Sequence, residues 1–381
     1  MSLNANWSYP TTIRFGAGRI VEIAEACQVA GIKKPLLVTD KGLAQLDITL
    51  KTLDLLDFAG LGRSVFSKVD PNPTDINAIA GIKMFKEGKH DGVIAFGGGS
   101  GLDLGKLIAF MVGQTRPIWD FEDVSNWWMR ADETSIMPII AVPTTAGTGS
   151  EVGRASVITN SETHEKKIIF HPKLLPSVVI CDPELTKGMP TMITAGTGMD
   201  AFAHCLEAYC SPHYHPMSHG MALEGMRLVK ENLSPVFKDG NNLTARAHMM
   251  SAAIMGATAF QKGLGAIHAA SHPIGAVHNT HHGTTNAVVM REALLLNRIE
   301  IEPKIQSLCN YLEIPNGFEG FISFVSGLNA ALNIPSSLTE LGVKNPNIEN
   351  LVASALKDPS GGGNPVALTK ENMTKLFINC L

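Results

Sequence analysis

Through its first half the chain alternates short apolar runs rich in β-branched residues with glycine or polar turns and with segments whose apolar positions recur at helical spacing. That alternation points to an α/β layer structure built on a parallel sheet. The runs Leu36–Thr39, Arg63–Phe66, Gly92–Phe96 and Met137–Val142 are short enough for buried parallel strands, and a helix is predicted over Gly101–Gly113. Ser156–Thr159 and Lys167–Phe170 flank the polar stretch Asn160–Lys166 and predict a hairpin, and Ser177–Cys181 predicts a last strand. Past Asp182 the texture changes to long Ala- and Met-rich segments. Helices are predicted over Thr194–Cys210, Pro216–Leu233, Leu243–Phe260 and Leu264–His278, with shorter ones running to the C-terminus. The turn-rich Asp182–Pro190, DPELTKGMP, marks the boundary, giving an α/β domain over residues 1–185 and an all-α domain over 186–381. A cleft between two such domains is a natural ligand site.

Length agrees with two domains, since 381 residues exceed what a single core usually supports. With 45% apolar and 17% charged residues the chain is expected to be compact and soluble. A net charge of −4 without a long basic run gives no electrostatic footprint for nucleic acid, so a small-molecule partner is expected. Met1–Pro10 lacks the basic-then-apolar pattern of a secretory leader, and no run approaches the roughly 18 apolar residues of a membrane span. A cytoplasmic protein is expected. Its six cysteines form no CxxC pair, which favours reduced thiols and gives no support for zinc on thiolates.

Candidate chemistry lies in four places. Gly97-Gly98-Gly99-Ser100 follows the run Val93–Phe96 and opens a predicted helix, where backbone amides can approach a pyrophosphate. The spacing is not GxGxxG, so a plain strand-to-helix turn is an equal reading. Asp103, further along this helix, is a candidate contact, and for it and Lys106 the more usual role is that of solvated charges. Thr144-Thr145-Ala146-Gly147-Thr148 follows Ile139–Val142 and offers small hydroxyl and glycine residues at a strand's C-terminal end. Asp40 ends the first strand, where an acid commonly holds a ribose 2′-hydroxyl, although a helix cap is the blander role. Two glycine- and hydroxyl-rich loops at the ends of two strands favour nucleotide binding, and Asp40 tilts the cofactor toward NAD.

The strongest signal is the set Asp200, His204, His268, His272, His281 and His282. Asp200 and His204 are four apart in a helical pattern and share a face, and His268 and His272 repeat that geometry. A carboxylate and several imidazoles in Ala/Gly-rich surroundings are costly to bury unshared, and a divalent metal gives them a common partner. The blander alternative is a group of satisfied core histidines.

The segments GGGSGLDLGK, PTTAGTGSE, GMDAFAHCLEAY and GLGAIHAASHPIGAVHNTHHGTTNA resemble, in order and spacing, those of the iron-containing (group III) alcohol dehydrogenases. The resemblance spans nearly the whole chain. It implies a Rossmann-like nucleotide-binding α/β domain followed by an all-α domain, the fold shared with dehydroquinate synthase. It implies metal ligands Asp200, His204, His268 and His282, with Fe(II) or alternatively Zn(II) bound. His272 matches a non-ligand histidine held near nicotinamide and substrate. NAD contacts are implied at Asp40, Asn72, Gly98, Gly99, Thr144 to Thr148 and Lys166, and an oligomer, a homodimer or larger, is expected. His281 stands where many relatives have proline.

The function expected is hydride transfer between NAD and a small primary alcohol or diol, or its aldehyde. A metal- and NAD-dependent lyase of the dehydroquinate synthase type is the alternative, but a polyanionic substrate calls for basic residues near the metal motifs. Only Lys262 lies close in sequence to His268. A nucleotide-binding regulator with a structural metal is a third reading, and it would show no turnover.

Overall fold

The computed structural model describes residues 11–163 and 165–381, so the leader reading of Met1–Pro10 lies outside the described residues. One compact unit takes in residues 11–145 and 149–188, and a second takes in residues 146–148 and 189–381.

The first unit is built on a six-stranded parallel sheet. Its strands are β1 (Thr12–Phe15), β2 (Pro35–Asp40), β3 (Val65–Val69), β4 (Gly92–Gly97), β5 (Ile139–Pro143) and β8 (Val178–Cys181), in the order β1-β8-β5-β4-β2-β3. β6 (Ala155–Thr159) and β7 (Lys166–Phe170) form a separate antiparallel pair, the hairpin read from the sequence. β2, β4, β5 and β8 bury almost every side chain, which is why they appear as continuous apolar runs. β1 escapes sequence reading because Thr-Ile-Arg-Phe sits at a sheet edge and is only partly buried. Helices α1 (Ile23–Val29), α2 (Asp47–Phe58), α3 (Asp75–Gly88) and α4 (Gly99–Met111) complete the unit. Apolar side chains from α1, α2 and the strands, Ile23, Leu53, Leu37, Ile94, Phe96, Ile140 and Ile180 among them, close a core over the sheet.

From β2 the chain pairs β3 on one side and then returns past β2 to β4 on the other, so the strand order reverses between β2 and β4. In open parallel sheets, ligands bind at the C-terminal strand ends beside such a reversal. Asp40 ends β2 and Gly97 ends β4, so both flank it. α4 lies close on β4 because a Cβ on Gly105 would stand 2.7 Å from that of Ala95, and one on Gly101 2.9 Å from the Phe96 carbonyl oxygen.

Lys106 is a correction to the expectation of a solvated charge: it is fully buried. Its ammonium bonds the carbonyls of Ser150 and Ala155 and lies 3.2 Å from Asp103 Oδ1, so α4 is pinned to the loop after β5. Glu151 is buried beside it, and burial pushes its carboxyl up from 4.5 to about 7, against the opposing effects of its own backbone and Lys106. The folded state therefore holds this proton more tightly than the unfolded state. Its stabilising contribution is present below 4.5 and is lost as pH rises through 7, a loss of roughly 3 kcal/mol. Glu151→Gln is thus expected to gain stability relative to the parent between about pH 5 and about pH 8 in urea titrations. A parallel pH dependence of the two proteins would contradict it.

The second unit is helical, with α5 (Thr191–Cys210), α6 (Pro216–Lys238), α7 (Leu243–Ala259), α8 (Ala266–His278), α9 (His282–Leu312), α10 (Gly317–Ala331), α11 (Ile348–Ala355) and α12 (Lys370–Asn379). α5 is central: it packs against α6, α7 and α9 and buries nearly all of Thr194–Cys210. α6 runs five residues past the predicted end, through Pro235, whose missing N–H falls on an exposed position where water can satisfy the carbonyl left over. The start of α9 crosses α5 at two glycines. A Cβ on Gly283 would come within 2.1 Å of the Gly196 carbonyl oxygen, so only glycine allows the approach. That crossing sets the following site.

Candidate metal centre

Three helices of the second unit supply the site. Along α5, Asp200, His204 and Glu207 fall at i, i+4 and i+7 and share one face; α8 carries His268 and His272 one turn apart; α9 opens with His282 and places Asn286 one turn later. The Nε2 atoms of His204, His268 and His282 lie 3.8, 3.7 and 3.5 Å from the same carboxylate oxygen, Asp200 Oδ1. Four donors around one ion with bonds of ~2.1 Å are about 3.4 Å apart when tetrahedral. The donor atoms of Asp200, His204 and His268 all lie within 4.8 Å of one another. The chemistry and spacing of the donors therefore fit a divalent metal.

His281 is directed elsewhere. Its ring lies against Gly196, and its Nδ1 accepts the Thr284 amide as the N-cap of α9. Adjacent residues at a helix start diverge in this way, one capping and the next entering the first turn.

Three residues that the sequence did not single out hold the imidazoles. Glu207 Oε2 accepts the Nδ1–H of His268 at 2.6 Å. Asp358 Oδ2 accepts the Nδ1–H of His272 at 2.8 Å. Asn286 donates from Nδ2 to Asp200 Oδ1 at 2.8 Å and stands 3.3 and 3.2 Å from the Nε2 atoms of His268 and His282. Glu207 and Asn286 were legible in principle, being i+3 from His204 and i+4 from His282 on the same helix faces. Asp358 carries no local signal, since 86 residues separate it from His272.

The burial is uneven. Asp200, His204 and His268 are closed off, whereas the side chains of His272 and His282 are 15% and 28% exposed and stack with ring centroids 5.3 Å apart. The site is thus open on the His272–His282 side. Burial raises the carboxyl of Asp200, but His204, His282 and His268 outweigh it and hold the group well below the usual carboxylate range. Burial pushes His204 down to about 4, which leaves it neutral at pH 7. Burial alone would lower His268 as well, but Glu207 and Asp200 overcome it and raise the ring to about 10. Among the described residues neither Asp200 nor Glu207 pairs with a lysine or arginine. Two buried carboxylates thus ask for positive charge at the imidazoles, and a divalent ion satisfies that demand at the Nε2 atoms.

The first unit presents the other candidates at the sheet reversal. Asp40 Oδ1 accepts the amides of Gly42 and Leu43 in the turn that follows β2, and the N-cap of the next short helix is Gly42, so Asp40 is not itself a helix N-cap. Gly97 adopts φ 141°, a backbone that L side chains rarely take, and Gly98 caps α4, with Thr145 so close that a Cβ on Gly98 would be 3.1 Å from its methyl. Gly99 opens α4, and Ser100 donates to the Pro71 carbonyl at 2.6 Å. Thr144 is buried and its amide bonds the Gly97 carbonyl, which holds the two loops together. Asp103 is turned inward, accepting from Ser150 Oγ and the Val157 amide. Asn72 lies half-buried in the turn before α3, and Lys166 opens β7. Trp127 stacks under Arg130 and Trp128 packs against Phe170 and His171, the arrangement of a packed loop. Ala146, Gly147 and Thr148 belong to the helical unit, where a Cβ on Gly147 would be 2.5 Å from the Thr197 carbonyl oxygen.

A parallel sheet with glycine-rich strand ends, joined in one chain to helices that converge a carboxylate and three imidazoles, is the arrangement of a metal-dependent, nucleotide-binding enzyme. The family model for iron-containing alcohol dehydrogenase matches residues 10–183, and that for the C-terminal part of the Fe-containing alcohol dehydrogenase family matches residues 194–381. The chain belongs to the iron-containing alcohol dehydrogenase family. It is 36% identical over 94% of both chains to 4-hydroxybutyrate dehydrogenase of Cupriavidus necator. It is 35% identical to 1,3-propanediol dehydrogenase of Klebsiella pneumoniae, covering 97% of this chain and 96% of that protein. The crystal structure of a 1,3-propanediol oxidoreductase superposes with a TM-score of 0.93 at 34% identity, covering 99% of both chains. Sulfoacetaldehyde reductase from Bifidobacterium kashiwanohense, solved with NAD+, gives 0.90 at 28% identity over 100% of this chain and 99% of that one.

Proposed function

We propose that this protein interconverts a small primary alcohol or diol and its aldehyde, using NAD(H) and a divalent metal, Fe(II) or alternatively Zn(II), held by Asp200, His204, His268 and His282. The observation that carries the reading is the near-equal placement of three imidazole Nε2 atoms around one buried carboxylate oxygen. Relatives named as alcohol, diol and hydroxyacid dehydrogenases support it. When bound, the ion supplies a Lewis acid for the substrate oxygen and NAD supplies the hydride acceptor.

The chain's own residues do the rest. Asp358 takes the Nδ1–H of His272, so Nε2 of that ring is left to accept a hydrogen bond or proton on the open side of the donor set. Stacking on His282 holds the ring in this orientation. In the first unit, Asp40 uses Oδ1 internally and offers Oδ2 to a ribose hydroxyl, which would repel a 2′-phosphate. Amides from Gly97 to Ser100 at the N-terminus of α4 suit a pyrophosphate, with Asn72, Asp103, Thr144 to Thr148 and Lys166 completing the proposed nucleotide contacts. Lys262, the basic residue nearest His268 in sequence, is buried and donates to the Tyr209 carbonyl, which leaves it committed within the helical unit. Among the described residues no helix is long and apolar enough to cross a membrane. A cytoplasmic location and a homodimer or larger assembly are part of the same proposal.

Metal-stripped protein is expected to form no NADH from NAD and short primary alcohols or diols, and to regain turnover with Fe(II) or Zn(II). Absorbance of NADH across such a panel is the measurement. Silence in both directions, despite bound NAD and metal, would remove the dehydrogenase reading.

A further inference from the structure

We infer that Glu207 is the positioning residue of the metal centre, fixing through the Nδ1–H of His268 the direction of that ring's metal-facing lone pair. The inference rests on the metal-dependent reading above. A carboxylate accepts hydrogen bonds, so the 2.6 Å contact of Glu207 Oε2 keeps a proton on Nδ1 and makes Nε2, which faces Asp200, the nitrogen that would bind an ion. Oε1 of the same group accepts the Ile267 amide, also at 2.6 Å. The carboxylate thus ties the ring and the start of α8 to one group on α5.

The start of α8 is shaped to admit this carboxylate. Gly265 caps α8 and has no side chain to offer its free amides; a Cβ there would stand 2.7 Å from Asn364 Oδ1 and 3.2 Å from Glu207 Oε1. The absent side chain lets both acceptors in, Asn364 taking the Ala266 amide and Glu207 the next. Asn364 is itself held by a reciprocal amide pair with Asn297, at 2.9 and 2.8 Å. Glu207 is 7% exposed and sits on the same face of α5 as Asp200 and His204. One helix therefore brings two donors and the acceptor that aims a third.

Glu207→Gln preserves size and reverses this logic. If its amide NH2 faces Nδ1, His268 must carry its proton on Nε2, where the ion should bind; if it faces Ile267, two donors collide. The variant is expected to bind Zn(II) 10- to 100-fold more weakly in chelator competition, with unchanged far-UV circular dichroism. Asn364→Ala removes the neighbouring acceptor of the same helix end without touching His268. It is expected to lower the melting temperature and leave Zn(II) affinity as in the parent. In the Zn(II)-loaded parent, NMR of the imidazole nitrogens should show His268 protonated at Nδ1.

Parent-like Zn(II) affinity in Glu207→Gln, equal weakening in Asn364→Ala, or the opposite tautomer in the parent would each overturn the positioning role. Absence of Zn(II) binding by the parent would instead overturn the metal-dependent reading itself, and this inference with it.

Discussion

His268→Ala is expected to lower kcat/KM for alcohol oxidation by about 10³-fold or more and to leave the protein unable to retain Zn(II) or Fe(II) through desalting. The size of the effect follows from what the ring does. It is one of four donors converging on a single point, so its loss opens the set on the buried side. It is also the partner of Glu207, and alanine leaves that buried carboxylate with only the Ile267 amide. Such a group costs several kcal/mol unless it takes up a proton. Initial rates of NADH formation, read beside metal content after gel filtration, check both expectations. A variant that keeps its metal and most of its rate would mean that the ion sits elsewhere.

His272→Ala should behave differently, and the difference is what separates a ligand from a group acting on substrate. Its ring stacks on His282 at the exposed side of the donors, and its Nδ1 is engaged by Asp358. We expect kcat to fall by about 10²-fold while the Zn(II) content is that of the parent, the usual penalty for losing a positioned acid–base group. Asp358→Asn should lower kcat in the same direction and by less, since the ring remains but its tautomer is no longer fixed. Loss of metal together with activity in His272→Ala would reassign the ring to the structure of the centre.

The parallel strands could be read from the sequence because a strand buried on both faces is a continuous apolar run, and Leu36–Thr39 and Gly92–Phe96 are such runs. β1 could not, since an edge strand need not be apolar. The convergence of Asp200 with His204 and of His268 with His272 was visible as four-residue spacing on helices. What spacing cannot convey is which side chain meets which across the fold. Glu207 in Leu-Glu-Ala looks like any helix glutamate until α8 is laid beside it. Lys106 looks like a surface charge until the carbonyls of Ser150 and Ala155 close over it. His281 and His282 are indistinguishable as letters; a helix boundary between them sends one to the N-cap and the other to the donors. The placement of Asp358 depends on the whole intervening chain.

The proposed donors come from three helices, and Asp200 and His282 are separated by most of the length of a small domain. An ion shared among them therefore acts as a cross-link as well as a reagent. It ties α5, α8 and α9 at one point and, in the unfolded chain, would have to close long loops to be held at all. Occupancy and folding are then linked, with the ion drawing the equilibrium toward the native state by mass action. The emptied enzyme would be looser as well as idle, and scarcity of the metal would shorten the life of the protein along with its activity.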